Sequence, residues 1–518
     1  MGFSEKRAEV VLSQVIREPY NLAIATARTC YSSQGIITVS DVVKDENARA
    51  LRDRIAQSTM EAGHLTTRQH AHFVFSLNNV SRSFIWSFLH SHPFYNSEQV
   101  SQRYVRVKTD NFYFPQLSEK HRKLYEETLQ LQMESYNRLI DLVRPTAEKE
   151  YYRIFPHRLK NKEKWDKVIL KKSYEVARYV LPIATFAYLY HTVSALTLLR
   201  YYKLMNMFDT PQEQKSVIYN MVEAVKKEDP DFEKEIQDPY RLEDTPEFQI
   251  LNEFQFSHRP TDFIHEFDES LRGMWSKLID YKVNAEQTLA QSVRSVFGLT
   301  QQQLSNEDAI EKVLNPAHNK YLSDTLNPNM HTKLSRTLSH VHFTFRKKMS
   351  HTADSQEQRH RMTPASRPIL LTHFSGNPDF ITPKIISETP AALELFNKTM
   401  QQTWNNINKL LNDGVSFEKA HYLLPNAWAV RYEESGDLLG FHHKWKLRTC
   451  YNAQEEIFYS SIDELKQVNE KFPLIGKHIL APCYLRKLAE VKPYCPEGDR
   501  YCGIPVWKRG LNEYKRLI

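Results

Sequence analysis

The sequence predicts a helix-rich α+β protein made of two tandem copies of one domain. Three observations predict it: helical apolar spacing over most of the chain, two short alternating runs of strand character, and a match between those two runs at an offset of 270 residues. With 518 residues, 41% hydrophobic and 12% aromatic, the chain is long enough to bury more than one core.

Apolar residues recur at i, i+3 and i+4 in SEKRAEVVLSQVIREP (4–19), DENARALRDRIAQSTMEAG (45–63), SEKHRKLYEETLQLQMESYNRLIDLV (118–143) and EFDESLRGMWSKLIDYKVNAEQTLAQSVRSVF (266–297), so each is expected to be a helix. HAHFVFSLNNVSR (70–82) and HVHFTFRKKMSH (340–351) alternate and are expected to be strands with one buried face. The uncharged stretch 179–199, YVLPIATFAYLYHTVSALTLL, is long enough to span a bilayer, but its Pro, His and hydroxyl side chains favour a central buried helix. KKEDPDFEKEIQDPYRLEDTPEF (226–248) is charged and Pro-punctuated, the composition of a surface connector. The expected division is a first domain at 1–225, a linker at 226–248 and a second domain at 249–518.

The duplication rests on four anchors in the same order. His70-Ala-His72-Phe73-Val74-Phe75 lies over His340-Val-His342-Phe343-Thr344-Phe345, and Ser81 over Ser350. Upstream, LAIATARTC ending at Cys30 lies over TLAQSVRSV ending at Val296, which pairs Arg28 with Arg294. Downstream, Val180-Leu181-Pro182 lies over Leu423-Leu424-Pro425.

Composition narrows the chemistry. Only 13 glycines occur, and neither G-x-G-x-x-G nor G-x-x-x-x-G-K-[ST] is present, which argues against a Rossmann oxidoreductase or a P-loop NTPase. A net charge of +7 over so long a chain suits small anionic ligands better than nucleic acid. Five cysteines without a scaffold spacing, and an N-terminus lacking an apolar signal core, favour a reducing cytoplasm.

Two segments carry candidate chemistry. Gln356, Arg359 and His360 fall at i, i+3 and i+4 beside Arg361, a donor-rich surface for phosphate or for a ring carrying developing negative charge, or simply a solvated basic turn. Ser101-Gln102-Arg103-Tyr104 offers a hydroxyl, a guanidinium and a phenol within one tetrad, enough to hold a nucleotide phosphate and ring, or else an ordinary polar strand edge. His70, His72, His90 and His92 keep a metal-dependent hydrolase in view as an alternative. Cys450, Cys483, Cys495 and Cys502 lack the spacing of a zinc knuckle, which leaves buried or idle thiols as the expectation.

GHLTTRQHAHFVF, NSEQVSQRY and ATARTCYSS in the first half, with SHVHFTF, QRHR and KLRTCYNAQEEI (446–457) in the second, resemble the flavin-dependent thymidylate synthases, whose hallmark is an R-H-R triplet followed by S-x-R-Y. Each half is a damaged copy. In the first, His90-Ser91-His92 stands where the triplet belongs and Met205 where the C-terminal Arg belongs, while the 101–104 tetrad and Arg178 are kept. In the second, Arg359-His360-Arg361 and Arg448 are kept, while Ser366-Arg367-Pro368 is a poor S-x-R-Y, His421 replaces the Arg before L-L-P and Asn452 replaces a His.

The resemblance implies a central antiparallel sheet flanked by helices in each copy, and methylation of dUMP to dTMP with methylenetetrahydrofolate and NADPH as co-substrates and FAD as cofactor. It implies one composite site, with Ser101, Gln102, Arg103, Tyr104 and Arg178 holding dUMP, and Gln356 and Arg448 closing over it. Arg448, Arg103 and Ser101 would be catalytic. FAD would lie against Arg359, His360 and Arg361, bordered by His64, Thr66 and Asn452, and no resident metal is implied. The implied assembly is a homodimer, a pseudo-tetramer of domains, acting on small molecules rather than on nucleic acid or membranes. The alternative is a non-catalytic flavin- or nucleotide-binding descendant.

Overall fold

The computed structural model describes residues 6–206, 209–255 and 257–516. Each half builds one four-stranded antiparallel sheet. The first has β1 (Glu9–Val15), β2 (His72–Ser81), β3 (Asn96–Gln99) and β4 (Phe186–Ser194) in the order β1-β2-β4-β3. The second has β5 (Ser276–Tyr281), β6 (His342–Ser350), β7 (Ala365–Ser366) and β8 (Ala429–Asp437) in the order β5-β6-β8-β7. Identical strand orders, and a bulge at the same place on each edge strand, between Leu12 and Gln14 and between Leu278 and Asp280, bear out the fold of two related units.

Helices surround both sheets, and three expected helices differ. Residues 9–15 form β1 because the Val-rich run EVVLSQV meets an open edge of β2, where β-branched side chains pack on the pleat. Residues 266–297 are divided: a helix ends at Leu271, Ser276–Tyr281 becomes β5, and a second helix runs from Ala285 to Phe297. The stretch 179–199 is not a helix. Pro182 interrupts it, β4 follows with Leu189, His191 and Val193 buried and Tyr188 and Tyr190 exposed, and a helix starts only at Ala195. Among the described residues, no helix is long and apolar enough to cross a membrane. The segment read as a surface connector gives Phe232 to the first core, and its Glu235 pairs with buried Arg68 at 2.7 Å.

A pseudo-two-fold relates the halves, and its centre lies at two prolines. Pro182 and Pro425 face one another in an antiparallel bridge. Ile183 N–H donates to the Leu424 carbonyl and Asn426 N–H to that of Leu181, both at 2.8 Å. The same symmetry repeats at Ser81 and Ser350. Each caps the helix that follows it, and each is held through Oγ and main-chain N–H by one carboxylate, Glu213 for Ser81 and Glu456 for Ser350. A tyrosine from the opposite half completes each set: Tyr422 donates to Glu213, and Tyr179 to Glu456. The long helices Glu119–Ile154 and Pro390–Asn412 pack across the same axis, with Leu129, Tyr136, Phe396 and Trp404 in one shared apolar core. This shared core seats the first half's tetrad across a cleft from Arg359 and Arg448 of the second.

Candidate active site

A cavity of about 310 Å³ opens between the halves. Ser101, Gln102, Arg103, Tyr104 and Arg178 line it from the first half, and Gln356, Arg359 and Arg448 from the second. The tetrad occupies a turn directly after β3, so the strand aims it into the cleft. On the facing side, the helix Ser350 caps, His351–Glu357, ends just past Gln356, and Arg359 and His360 lie in the turn beyond it rather than on one helical face.

Arg103 is anchored on both sides of the cleft. Its Nε donates to Glu175 at 2.8 Å, its Nη2 to the main-chain oxygen of Asn452 at 3.0 Å, and its guanidinium lies over the Tyr104 ring. Burial alone would raise the Glu175 carboxyl, yet Arg103, Lys172 and Arg178 hold it down to about 2. Gln102 Oε1 accepts from Asn426 Nδ2 at 3.1 Å, and the same amide donates to the Arg178 carbonyl, a second tie between the halves.

Arg448 is oriented from behind. Its Nε donates to His360 Nε2 at 2.7 Å and its Nη2 to the Gln356 carbonyl at 3.2 Å. Burial, then Arg448 and Lys444, push the His360 imidazole well below its ordinary value, so it is neutral and its Nε2 is free to accept. His360 therefore sits buried beneath Arg448 and does not line the cavity.

Positive charge is in surplus. Six arginines line the cavity, namely Arg82, Arg103, Arg178, Arg359, Arg448 and Arg500, while Glu175 pairs with Arg103 and Glu98 with Arg359. Burial, with Arg178 beside it, pushes Arg82 down to about 10. Arg178 and Arg448 are lowered too, first by burial, with Arg103 adding in both cases. Arg178 Nε and Nη2 and Gln102 Nε2 are buried without a hydrogen-bond partner among the described residues. Buried donors left unmade and cations crowded together are the conditions an anionic ligand relieves.

The other expected residues lie elsewhere. Arg361 bonds to the Pro93 carbonyl and Asn96 and lies over the Tyr95 ring, in an adjoining groove that also includes Arg359. Asn452 presents its backbone to Arg103 and its amide to the Arg500 carbonyl. His64 lines a separate cavity with Arg28 and Tyr31, and Thr66 opens the short 3₁₀ turn Thr66–Gln69. The four histidines of the hydrolase alternative do not converge: His90 lies under Trp86 near Asp354, His92 bonds to Tyr201, and His70 and His72 are exposed at the start of β2. No group of three or more metal-ligating side chains occurs among the described residues. The five cysteines are free thiols, and burial pushes Cys450 up to about 11 and Cys483 to about 12.

Seven lining residues escape the sequence reading, among them Gln99 and Val100, which directly precede the tetrad. Arg82, Thr352 and Asn426 each follow within two residues of a duplication anchor, Ser81, Ser350 or Pro425, and that adjacency was the available signal. Ser355 was readable only as the neighbour of Gln356. Arg500 had no signal.

The pseudo-two-fold generates a reciprocal cavity of about 330 Å³, where Ser87 and His90 from the first half face Ser366 and Arg367 from the second. It lacks the arginine cage. Among the described residues its one arginine, Arg367, is bound to buried Asp354 at 2.9 Å, burial lowers His90 to about 3, and burial raises Asp209 to about 6.

A family model described as thymidylate synthase complementing protein matches residues 11–231 and 277–474, one segment for each sheet. The chain belongs to this family. Relatives include the flavin-dependent thymidylate synthase of Clostridium tetani, 25% identical over 229 residues, which are 44% of this chain and 85% of that one. The enzyme of the same description from Geobacter sulfurreducens is 29% identical over 185 residues, covering 35% of this chain and 74% of its own. Among solved structures, a UMP/dUMP methylase PolB from Streptomyces cacaoi bound with 5-Br dUMP aligns with 45% of this chain and 96% of its own, at 18% identity and a TM-score of 0.31.

Proposed function

We propose that this chain methylates dUMP to dTMP, with methylenetetrahydrofolate and NADPH as co-substrates and FAD as cofactor, at the one composite site between its halves. The observation that carries the reading is the cage itself: the S-x-R-Y tetrad of the first half and Arg359 and Arg448 of the second line one cavity.

Ser101, Gln102, Arg103, Tyr104 and Arg178 bind dUMP in this reading, the orphaned donors of Arg178 and Gln102 taking up its oxygens. Arg448 and Gln356 close over the uracil. As C5 becomes nucleophilic, enolate-like charge collects on the ring carbonyl oxygens, and a guanidinium already fixed by His360 stabilises it without reorganising. Family membership points to FAD. The groove shared by Arg359 and Arg361 fits it, since two guanidinium groups suit a ring that gathers negative charge on reduction. FAD, when bound, supplies the reducing electrons that turn a transferred methylene into a methyl group. His64 and Thr66 border no part of this cavity, so their role in holding the cofactor requires a second copy of the chain, in keeping with a homodimer.

The test is release of tritium from dUMP labelled at C5, dependent on NADPH and on methylenetetrahydrofolate. Release under those conditions supports the enzyme. Absence of release from a protein that binds both flavin and dUMP points to the non-catalytic descendant.

A further inference from the structure

The two cavities are roofed by corresponding pieces of chain. Behind the helix Pro211–Glu228, the segment that joins the halves brings Tyr240, Thr245 and Glu247 over the reciprocal cavity. Behind the helix Glu455–Lys471, the C-terminal segment brings Arg500 over the composite cavity. An asparagine amide pins each roof by a backbone carbonyl: Asn206 Nδ2 donates to Tyr240 at 2.6 Å, and Asn452 Nδ2 to Arg500 at 2.7 Å. The roofs carry opposite charge, a carboxylate on one and a guanidinium on the other.

The C-terminal roof is a built structure and lies beyond the last residue matched by the family model, Leu474. Val506 and Tyr514 are buried with Tyr451 and Phe458. Arg516 bonds to the Ala453 carbonyl, and its own carbonyl accepts from the Tyr459 hydroxyl. Gly503, at φ +80°, brings the segment onto the first half so closely that a Cβ there would collide with the Phe155 ring. The strap thus reaches from the second half onto the first, across the edge of the cleft. Arg500 is its functional end. The side chain is 80% exposed, and Glu497, its ion partner, is as far away as 3.7 Å, so the guanidinium is available to an incoming anion.

We propose that the C-terminal strap is part of the substrate site and that Arg500 binds the phosphate monoester of the nucleotide. This rests on the dUMP reading above. An exposed arginine at the rim gains a charge-assisted, two-point contact when a phosphate dianion enters, and it adds to a cage that already carries surplus positive charge. The acidic roof does the reverse on the other cavity, where Glu247 and Asp209 oppose an anion. The two straps therefore help to decide which cleft takes the nucleotide.

Calorimetric titration of dUMP and of 2′-deoxyuridine into the full chain tests this with Arg500→Gln, Gly503→Val and Arg103→Ala. Arg500→Gln should weaken dUMP about tenfold, the size of one lost charge-assisted contact, and leave deoxyuridine unchanged. Gly503→Val should weaken dUMP in the same way by lifting the strap while keeping the guanidinium. If Arg500→Gln and Gly503→Val bind dUMP like the unaltered chain while Arg103→Ala does not, the strap proposal is overturned and the dUMP reading stands. An equal loss of deoxyuridine would also overturn it, because Arg500 would then not be acting on the phosphate. If the unaltered chain does not bind dUMP, or Arg103→Ala binds it unchanged, the dUMP reading itself fails.

Discussion

Arg103 of the first half is bonded to Asn452 of the second: Nη2 donates to the asparagine's main-chain oxygen at 3.0 Å while Nε keeps Glu175 at 2.8 Å. One guanidinium thus fixes the cavity wall and spans the junction of the halves. A lysine keeps the charge but cannot make both contacts from a planar fork. Arg103→Lys is expected to weaken dUMP binding by about tenfold or more, with a smaller effect on thermal stability. Calorimetry beside a melting curve checks it, and unchanged affinity would remove Arg103 from the site.

His360 acts through Arg448. Replacing it with Ala leaves Arg448 Nε without its acceptor, and the expected result is a fall in kcat of about tenfold, one charge-assisted hydrogen bond, with little change in the KM for dUMP. Gln, which restores an acceptor, should recover much of the loss. A merely structural role would move stability in both variants without that split between kcat and KM.

Arg367 illustrates the opposite case. Its guanidinium serves buried Asp354, whose carboxyl is held far below the usual carboxylate range; burial opposes that, while Arg367 and the other groups around it impose it. Arg367→Ala strands a buried charge and should cost about 3–5 kcal/mol of stability. The folded fraction should still bind dUMP within a factor of about two, since the residue lies on the reciprocal cavity. Denaturant titration and calorimetry on the same sample separate the two effects.

How much of this was legible in the sequence depends on the kind of signal. The tetrad and triplet were readable because both survive as short strings, and β2 and β6 because alternation and the duplication agreed. β1, β4 and β5 were misread because short, largely apolar runs of six to nine residues fit a helix as well as a strand, and tertiary pairing decides between them. His360 was placed with the lining residues because spacing does not reveal depth. Arg500 was invisible because its position follows from the packing of Val506 and Gly503 far from either motif.

The carboxylates at the pseudo-two-fold predict a pH dependence of stability. Burial raises Glu213 to about 7 and raises Glu456 as well, against the hydrogen bonds from Ser81 and Ser350. The folded state therefore retains protons that the unfolded chain releases, so this contribution is fully present below the ordinary carboxylate range and is lost as pH rises through about 7. For Glu213 it is on the order of 3 kcal/mol. Denaturation midpoints measured at mildly acidic and mildly alkaline pH should fall with rising pH, and Glu213→Gln should flatten the slope. An unchanged slope in that variant would contradict the assignment.

The number of dUMP molecules bound per chain decides whether the halves share one site. The composite site predicts one per chain, lost alike when Arg103 in the first half or Arg448 in the second is replaced by Ala, because both guanidinium groups line a single cavity and the reciprocal cavity has no arginine to spare. Two dUMP per chain, or one that survives either substitution, would contradict it.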